Sequence, residues 1–208
     1  GTGIGKFEGM TFFIKDAVIG DRVRAKIMKL KKTYGFARLM EVLTPSPDRV
    51  EPLCPVARQC GGCQIQAMSY EAQLAFKTRK VESNLKRIGK FEEIPMESII
   101  GMEDPFHYRN KAQFPFGKNR DGKIITGFYA GRTHSIIENT SCHLGKEVNE
   151  EILEKILAWM NAFHVEPYNE ATGKGLMRHS LIRCGFRTGE IMVCLVINGR
   201  KIPGEEAL

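Results

Sequence analysis

The stretch TPSPDRVEPLCPVARQCGGC, residues 44–63, decides how the chain is organised. Residues 44–52 contain three of the nine prolines, which is typical of an extended linker. Residues 54–63 then place three cysteines, Cys54, Cys60 and Cys63, in the spacing C-x5-C-x2-C. We therefore predict a small first domain over residues 1–47 and a larger second domain over residues 48–208.

The residues before the linker alternate as β-strands do. Residues 10–43 are predicted to form strands: apolar and basic side chains alternate over residues 22–27, and a second strand-like run covers residues 34–43. This pattern predicts a small β-barrel or a meander. Residues 22–38 also hold seven Lys or Arg residues and no acid. Such a run is expected of a surface that faces phosphates, and equally of a solvated strand edge that lysines protect from aggregation.

The residues after the linker predict two helices and two hairpins. The first helix runs from a cap at Ser69 to a stop at Gly89, and the second carries an apolar stripe from Val148 to Phe163. The hairpins pair residues 108–116 with 123–130 and residues 179–186 with 190–197. The predicted fold class is α+β. Residues 202–208 are similar to the first turn of a further helix, so we expect the chain to be cut short.

Composition and charge exclude several classes of protein. With 42% hydrophobic and 26% charged residues, the chain is expected to fold rather than to be disordered. It contains neither a run of about 20 apolar residues nor a secretory signal, so we predict a cytoplasmic protein without a membrane partner. No protein partner is implied, and we predict a monomer. Residues 1–50 carry ten Lys or Arg against five Asp or Glu, which is five of the seven net positive charges.

The six cysteines of a cytoplasmic protein favour a metal centre over disulfides. Three thiolates in one loop need a fourth ligand. Cys142 lies in a polar stretch, whereas Cys184 and Cys194 lie in apolar strands, where they are predicted to be core thiols that nearly face each other. We therefore predict a centre formed by Cys54, Cys60, Cys63 and Cys142. Zinc and an iron–sulfur cluster both fit this spacing.

Three motifs resemble the RumA branch of the uracil-5 RNA methyltransferases: the cysteine loop at residues 54–64, YRNK at 108–111 with Gln113 and Phe114 after it, and GFYA at 127–130, which leads through His134 to Cys142. The resemblance implies an OB-like TRAM β-barrel over residues 1–47 that lacks its first strand. It also implies a central domain over residues 48–208. In this family the cysteine quartet binds a [4Fe-4S] cluster, and tRNA-modifying relatives of the TrmA type generally lack it, which favours 23S rRNA as the substrate.

The resemblance further implies a catalytic domain that binds S-adenosylmethionine and a cysteine that adds to C6 of a flipped uracil. Neither Cys184 nor Cys194 lies in such a motif, and we find no glycine-rich loop for the methyl donor. The chain is therefore expected to end before the methyltransferase domain and to be inactive alone, with no catalytic or S-adenosylmethionine-binding residue of its own.

RNA contacts are predicted from stacking and charge. Tyr34, Phe36 and Arg38 alternate on one strand face beside the basic run, although such alternation is also typical of a core. In the second domain, the resemblance favours basic and amide side chains near the YRNK and GFYA motifs. The predicted RNA-binding residues are Lys26, Lys29, Lys31, Lys32, Tyr34, Arg38, Arg109, Asn110, Lys111, Gln113, Arg132 and His134.

Two other functions stay open. A radical S-adenosylmethionine methylthiotransferase also joins an iron–sulfur centre to a TRAM domain, but it uses the spacing C-x3-C-x2-C. A free-standing zinc- or cluster-containing RNA-binding protein could be complete at this length, and only the interrupted helix at residues 203–208 opposes it.

Overall fold

The computed structural model describes residues 2–208, which form two compact units. The first unit consists of the residues up to Arg58 together with Cys63–Glu103, and the second consists of Gln59–Gly62 together with Asp104–Leu208. The two units therefore divide near residue 103, and the domain boundary predicted at residues 47–48 lies within the first unit. The cysteine loop is also divided between the units. Residues 59–62, which include Cys60, belong to the second unit, whereas Cys54 and Cys63 belong to the first.

A four-stranded sheet forms most of the first unit's β structure. Its strands are β1 Thr2–Phe7, β2 Met10–Lys15, β3 Arg22–Leu30 and β4 Tyr34–Thr44, in the order β1-β2-β4-β3. β2 and β4 pair in parallel, and the other two pairings are antiparallel. Within residues 2–208 no pairing joins β1 to β3, so the expected closed barrel is an open sheet here. A strand over residues 2–7 also precedes the β structure that the sequence predicted.

One face of this sheet forms a small core. Phe12, Ile14, Ala37 and Leu39 are buried there, and Val23 packs against them. The alternate residues of β2 and β4 consequently point to the opposite face. That opposite face holds the candidate site described below.

The linker and the first helix pack with the first unit. Arg49 donates to the buried carboxylate of Asp21, with 2.6 Å between Nη2 and Oδ2. Val18, in the middle of the β2–β3 connection, packs with Met68 and Ala72. These contacts explain why the division does not fall at the linker, since a proline-rich composition predicts extended backbone but says nothing about what that backbone contacts.

The first helix, α1, spans Tyr70–Arg87, as its signals predicted. The Ser69 hydroxyl accepts a hydrogen bond from the Ala72 N–H at 3.2 Å, and the chain leaves the helix just before Gly89. Most of the apolar side chains of α1 are not buried. Among the residues of α1 only Ala72 is buried, and Val81 is half exposed.

The second unit is a five-stranded antiparallel sheet with one helix. Its strands are β5 Lys111–Lys118, β6 Ile124–Tyr129, β7 Ile136–Glu138, β8 Met177–Cys184 and β9 Ile191–Ile197, in the order β7-β6-β5-β8-β9. Both predicted hairpins are confirmed. The predicted second helix is also confirmed, as α2 Val148–Ala162. Leu153, Ile156 and Trp159 of α2 form a core with Phe114 and Ile182 of the sheet. The α+β class is therefore observed.

The two cysteines expected in the core differ from each other. Cys184 is half-buried and packs against the core, whereas Cys194 is exposed. They do not face each other, because Cys184 lies opposite Ile191 and Cys194 lies opposite Leu181. The prediction was wrong for Cys194 because β9 is an edge strand, and an apolar sequence on an edge strand does not ensure burial.

The chain ends in a single 3-10 turn over Glu205–Ala207. Of the helices within residues 2–208, none is long and apolar enough to span a membrane.

Candidate nucleic-acid interface

The open face of the first unit's sheet carries aromatic and basic side chains in rows. Residues directly opposite each other on neighbouring strands point to the same face, so the register defines which side chains lie side by side. We call this surface the outer face. Its three rows are Lys15, Arg38 and Lys26; Ile4, Phe13, Phe36 and Lys29; and Lys6, Thr11 and Tyr34.

An aromatic cluster of Phe13, Tyr34 and Phe36 lies at the centre of the outer face. The Phe13 and Phe36 ring centroids are 5.6 Å apart, and Tyr34 meets both rings edge-on at 5.7 and 5.6 Å. The three rings line a shallow groove with Thr11 and Thr33. Because Phe36 remains 41% exposed, the alternation of residues 34–38 marks an accessible surface and not a core.

Cations surround the aromatic cluster without neutralising partners. Lys26 and Lys29 lie on β3 opposite Arg38 and Phe36, and Lys31 and Lys32 lie in the loop that joins β3 to β4. All of these basic side chains are exposed. The ion pairs formed in the described part of the first unit involve other residues, namely Arg24, Arg49, Arg58 and Lys86. The predicted basic residues are therefore available to an anionic ligand.

Sequence reasoning did not identify Phe13 or Lys15 as part of this surface. Both lie on β2, which is separated from β4 along the chain and pairs with it in parallel. A local alternation of residues indicates that a strand exists but not which strand lies beside it. The only signal in the sequence was the run Thr11-Phe12-Phe13-Ile14-Lys15. Its two adjacent aromatic side chains must point to opposite faces of a strand, so one of them is expected on the outer face.

The predicted RNA-binding residues of the second unit occupy two different elements. Lys111 and Gln113 are exposed on β5. The two residues before β5 are held by their backbones: the Arg109 N–H donates to the Leu144 carbonyl, and the Asn110 carbonyl accepts from the Cys184 N–H at 2.9 Å. Arg132 and His134 are exposed in the turn between β6 and β7.

His134 is already engaged within the second unit. Its Nδ1 lies 2.7 Å from Oε2 of Glu170, and its ring stacks on Tyr129 with 5.2 Å between centroids. The hydrogen bond from His134 lowers the pKa of Glu170, and Coulombic attraction adds to the effect when the imidazole is protonated. Burial raises the pKa of Tyr129, with a further contribution from Glu170. An RNA that contacts His134 must therefore compete with an exposed carboxylate.

The cysteine loop and the GFYA motif meet within the second unit. Cys60 is buried and forms a backbone bridge with Ala130, and the Gly61 N–H donates to the Tyr129 carbonyl at 2.9 Å. A Cβ atom on Gly61 would lie 2.9 Å from that same oxygen, so a side chain does not fit without a backbone shift. Two motifs that are distant in the sequence are thus neighbours here.

The predicted metal ligands are divided between the units, with Cys54 and Cys63 in the first and Cys60 and Cys142 in the second. The Gly62 N–H donates to Cys60 Sγ at 3.3 Å, and Gln66 Nε2 donates to Cys63 Sγ at 3.6 Å. N–H donors of this kind stabilise thiolates and suit metal-bound sulfur. Across the described residues 2–208, however, no group of three or more His, Cys, Asp or Glu side chains is arranged to hold a metal ion.

Residues 1–40 match the model of the TRAM domain family. The whole chain is also similar to uncharacterized RNA methyltransferases, with 45% identity to one from Clostridium acetobutylicum and 43% to one from Clostridium tetani. These matches cover 100% of this chain and 45% of each relative, so the chain spans about half the length of the curated relatives.

A solved structure shares the fold. The crystal structure of Pyrococcus abyssi tRNA (uracil-54, C5)-methyltransferase in complex with S-adenosyl-L-homocysteine matches 97% of this chain and 45% of its own chain, with a TM-score of 0.70 and 24% identity.

Proposed function

We propose that this chain is the RNA-recognition part of an S-adenosylmethionine-dependent RNA (uracil-5-)methyltransferase. The observation that carries the proposal is the outer face, where three aromatic rings lie in an exposed groove among cations that have no ion-pair partners in the described part of the chain. The relatives named RNA methyltransferases and the uracil-directed activity of the P. abyssi protein support the reaction.

The outer face is suited to an unpaired strand. A base can stack on the exposed ring of Phe36, since every base has a π-face, and stacking of this kind tolerates different sequences. Neighbouring rows on one face are two residues apart along a strand, which is about 7 Å. Arg38 and Lys26 in the adjacent row are therefore within reach of the phosphates of a nucleotide whose base stacks on Phe36.

Replacing Phe36 tests this proposal. Because base–aromatic stacking contributes about 1–3 kcal/mol, Phe36→Ala should weaken binding of a single-stranded RNA of about 20 nucleotides roughly 5- to 150-fold in fluorescence anisotropy. Phe36→Tyr should retain most of the affinity. Phe91→Ala is the matched control, because Phe91 is also exposed but lies outside the sheet. Equal affinities for Phe36→Ala and wild type would contradict the proposal.

We propose 23S rRNA as the substrate, since the cysteine quartet resembles that of the rRNA-modifying branch. A 23S rRNA fragment with an unpaired uridine loop should then bind more tightly than a tRNA transcript at the same salt concentration. Both RNAs must be compared at one ionic strength, because phosphate contacts make affinity strongly salt-dependent. Tighter binding of the tRNA would instead indicate the activity named for the P. abyssi protein.

We propose that residues 1–208 bind RNA without methylating it. Within residues 2–208 no strand leads through a short glycine-rich loop directly into a helix, which is the usual arrangement for a dinucleotide or S-adenosylmethionine site. Incubation of the chain with RNA and methyl-labelled S-adenosylmethionine should therefore leave the RNA unlabelled. Labelled uridine in the RNA would contradict this part of the proposal.

We also propose that Cys54, Cys60, Cys63 and Cys142 hold a [4Fe-4S] cluster, and the N–H donors to Cys60 and Cys63 support thiolate ligands. Such a centre contributes folding free energy when it is bound. Anaerobic purification should yield brown protein with about four iron and four sulfide per chain.

Cysteine variants distinguish this cluster from its alternatives. Cys142→Ser should reduce the iron content sharply, whereas Cys194→Ser, at an exposed cysteine outside the quartet, should not. Colourless protein with stoichiometric zinc would exclude the cluster and favour a zinc centre.

A further inference from the structure

The five-stranded sheet of the second unit has a face that α2 does not cover. Phe114 and Ile182 point toward α2, so Lys111 and Gln113 of β5 and Arg183 of β8 point the other way. Lys111, Gln113 and Arg183 are all exposed. We call this surface the open face of the second sheet.

Two like charges lie side by side on this open face. Lys111 is directly opposite Arg183 in the β5–β8 register, an arrangement that destabilises a sheet. Neither residue takes part in an ion pair within residues 2–208. On the same strand, by contrast, Lys118 is neutralised by Glu166 at 2.6 Å. The fold therefore leaves a repulsive pair of cations accessible at one end of β5, which is expected where an anionic partner supplies the missing charge.

Another cation and an aromatic ring lie at this end of the sheet. The backbone bridge between Arg109 and Gly145 brings the segment before α2 next to the start of β5. Lys146, the next residue, places its ammonium group 4.4 Å from the ring centroid of Phe186, in the turn that follows β8. Phe186 is 52% exposed. An exposed ring thus contacts one cation, Lys146, at this end of the sheet.

We infer that this end of the open face is a second RNA-binding surface, at which Lys111 and Arg183 contact phosphates of a single strand. The inference rests on the proposed function, and it adds Arg183 to the residues that recognise RNA. Single-stranded RNA is favoured over an acidic protein because the amide of Gln113, which lies on the same face as the two cations, can bond a base edge or a sugar hydroxyl.

Salt dependence provides the test. Each phosphate contact to single-stranded RNA contributes roughly 0.7 to the slope of log K against log salt. The double variant Lys111→Gln, Arg183→Gln should therefore reduce that slope by about 1.4 for a single-stranded RNA of about 20 nucleotides. Its melting temperature should stay the same or rise, because the repulsive pair is removed. Lys118→Gln removes a neutralised cation from the same strand and should leave the slope unchanged.

Two further measurements keep this inference separate from the proposed function. Arg183→Lys preserves the charge and should preserve the slope, so an equal loss in Arg183→Lys and Arg183→Gln would overturn phosphate contact at this position. If Phe36→Ala weakens RNA binding while the double variant keeps the wild-type affinity and slope, the second surface is refuted and the proposed function stands. If the wild-type chain does not bind RNA at all, both fail.

Discussion

Asp21 is a buried carboxylate on which the first unit's loops depend. Its side chain is only 1% exposed, and it accepts hydrogen bonds from the Val18 and Ser46 N–H groups and from Arg49. Burial alone would raise the pKa of Asp21, but these hydrogen bonds and the charge of Arg49 outweigh burial and lower it. The ionised form is therefore more stable in the folded chain than in the unfolded one.

Asp21→Asn should destabilise the first unit in a pH-dependent way. At pH 7 the substitution leaves Arg49 without its partner, and we expect a loss of roughly 3 kcal/mol. A lowered folded-state pKa means that the stabilisation is complete above the unfolded value of about 3.9 and is lost as the pH falls through the folded value. Urea unfolding should therefore show a smaller difference between the two proteins at pH 3 than at pH 7.

Asp16→Asn is the control for this prediction, because Asp16 forms a more exposed pair with Arg58 at 3.4 Å and should contribute at most about 1 kcal/mol. A difference between Asp21→Asn and wild type that does not change with pH would show that charge is not the cause.

At the scale of elements, the helix that follows the cysteine loop depends on its cap. The Ser69 hydroxyl satisfies the Ala72 N–H, one of the donors that the first turn of α1 leaves without a helical partner. Ser69→Ala should lower the free energy of unfolding by about 1 kcal/mol, as measured by urea denaturation. Thr78→Ala, in the middle of α1, should have no such effect, since alanine is the better helix former. Equal losses in both variants would contradict a capping role.

The elements that sequence predicted well are those whose signals are local. Ser69, Gly89 and the short turn between residues 116 and 123 are each local signals of a few residues, so α1 and the β5–β6 hairpin were predictable. β9 was predictable as a strand, but the exposure of Cys194 was not, because edge position depends on which strands lie beside it.

At the scale of the whole molecule, only part of the candidate nucleic-acid interface could be predicted from the sequence. The basic run over residues 22–38 was visible, and so was the alternation of Tyr34 with Arg38. Phe13 belongs to the aromatic cluster because β2 pairs in parallel with β4, and Arg183 lies beside Lys111 because of the β5–β8 register. Both are contacts between strands that are distant in the chain, and residue patterns within one strand carry no information about them.

The central claim is that RNA binds to the outer face of the first sheet through an unpaired base. Photo-crosslinking with a single-stranded RNA that contains 4-thiouridine, followed by trypsin digestion and mass spectrometry, tests it most directly. Cleavage after Lys32 and Arg38 releases residues 33–38, which carry Tyr34 and Phe36, and cleavage after Lys6 and Lys15 releases residues 7–15, which carry Phe13. We predict that uridine is attached to these two peptides. Crosslinks confined to peptides from other elements, such as α1 or β9, would contradict it.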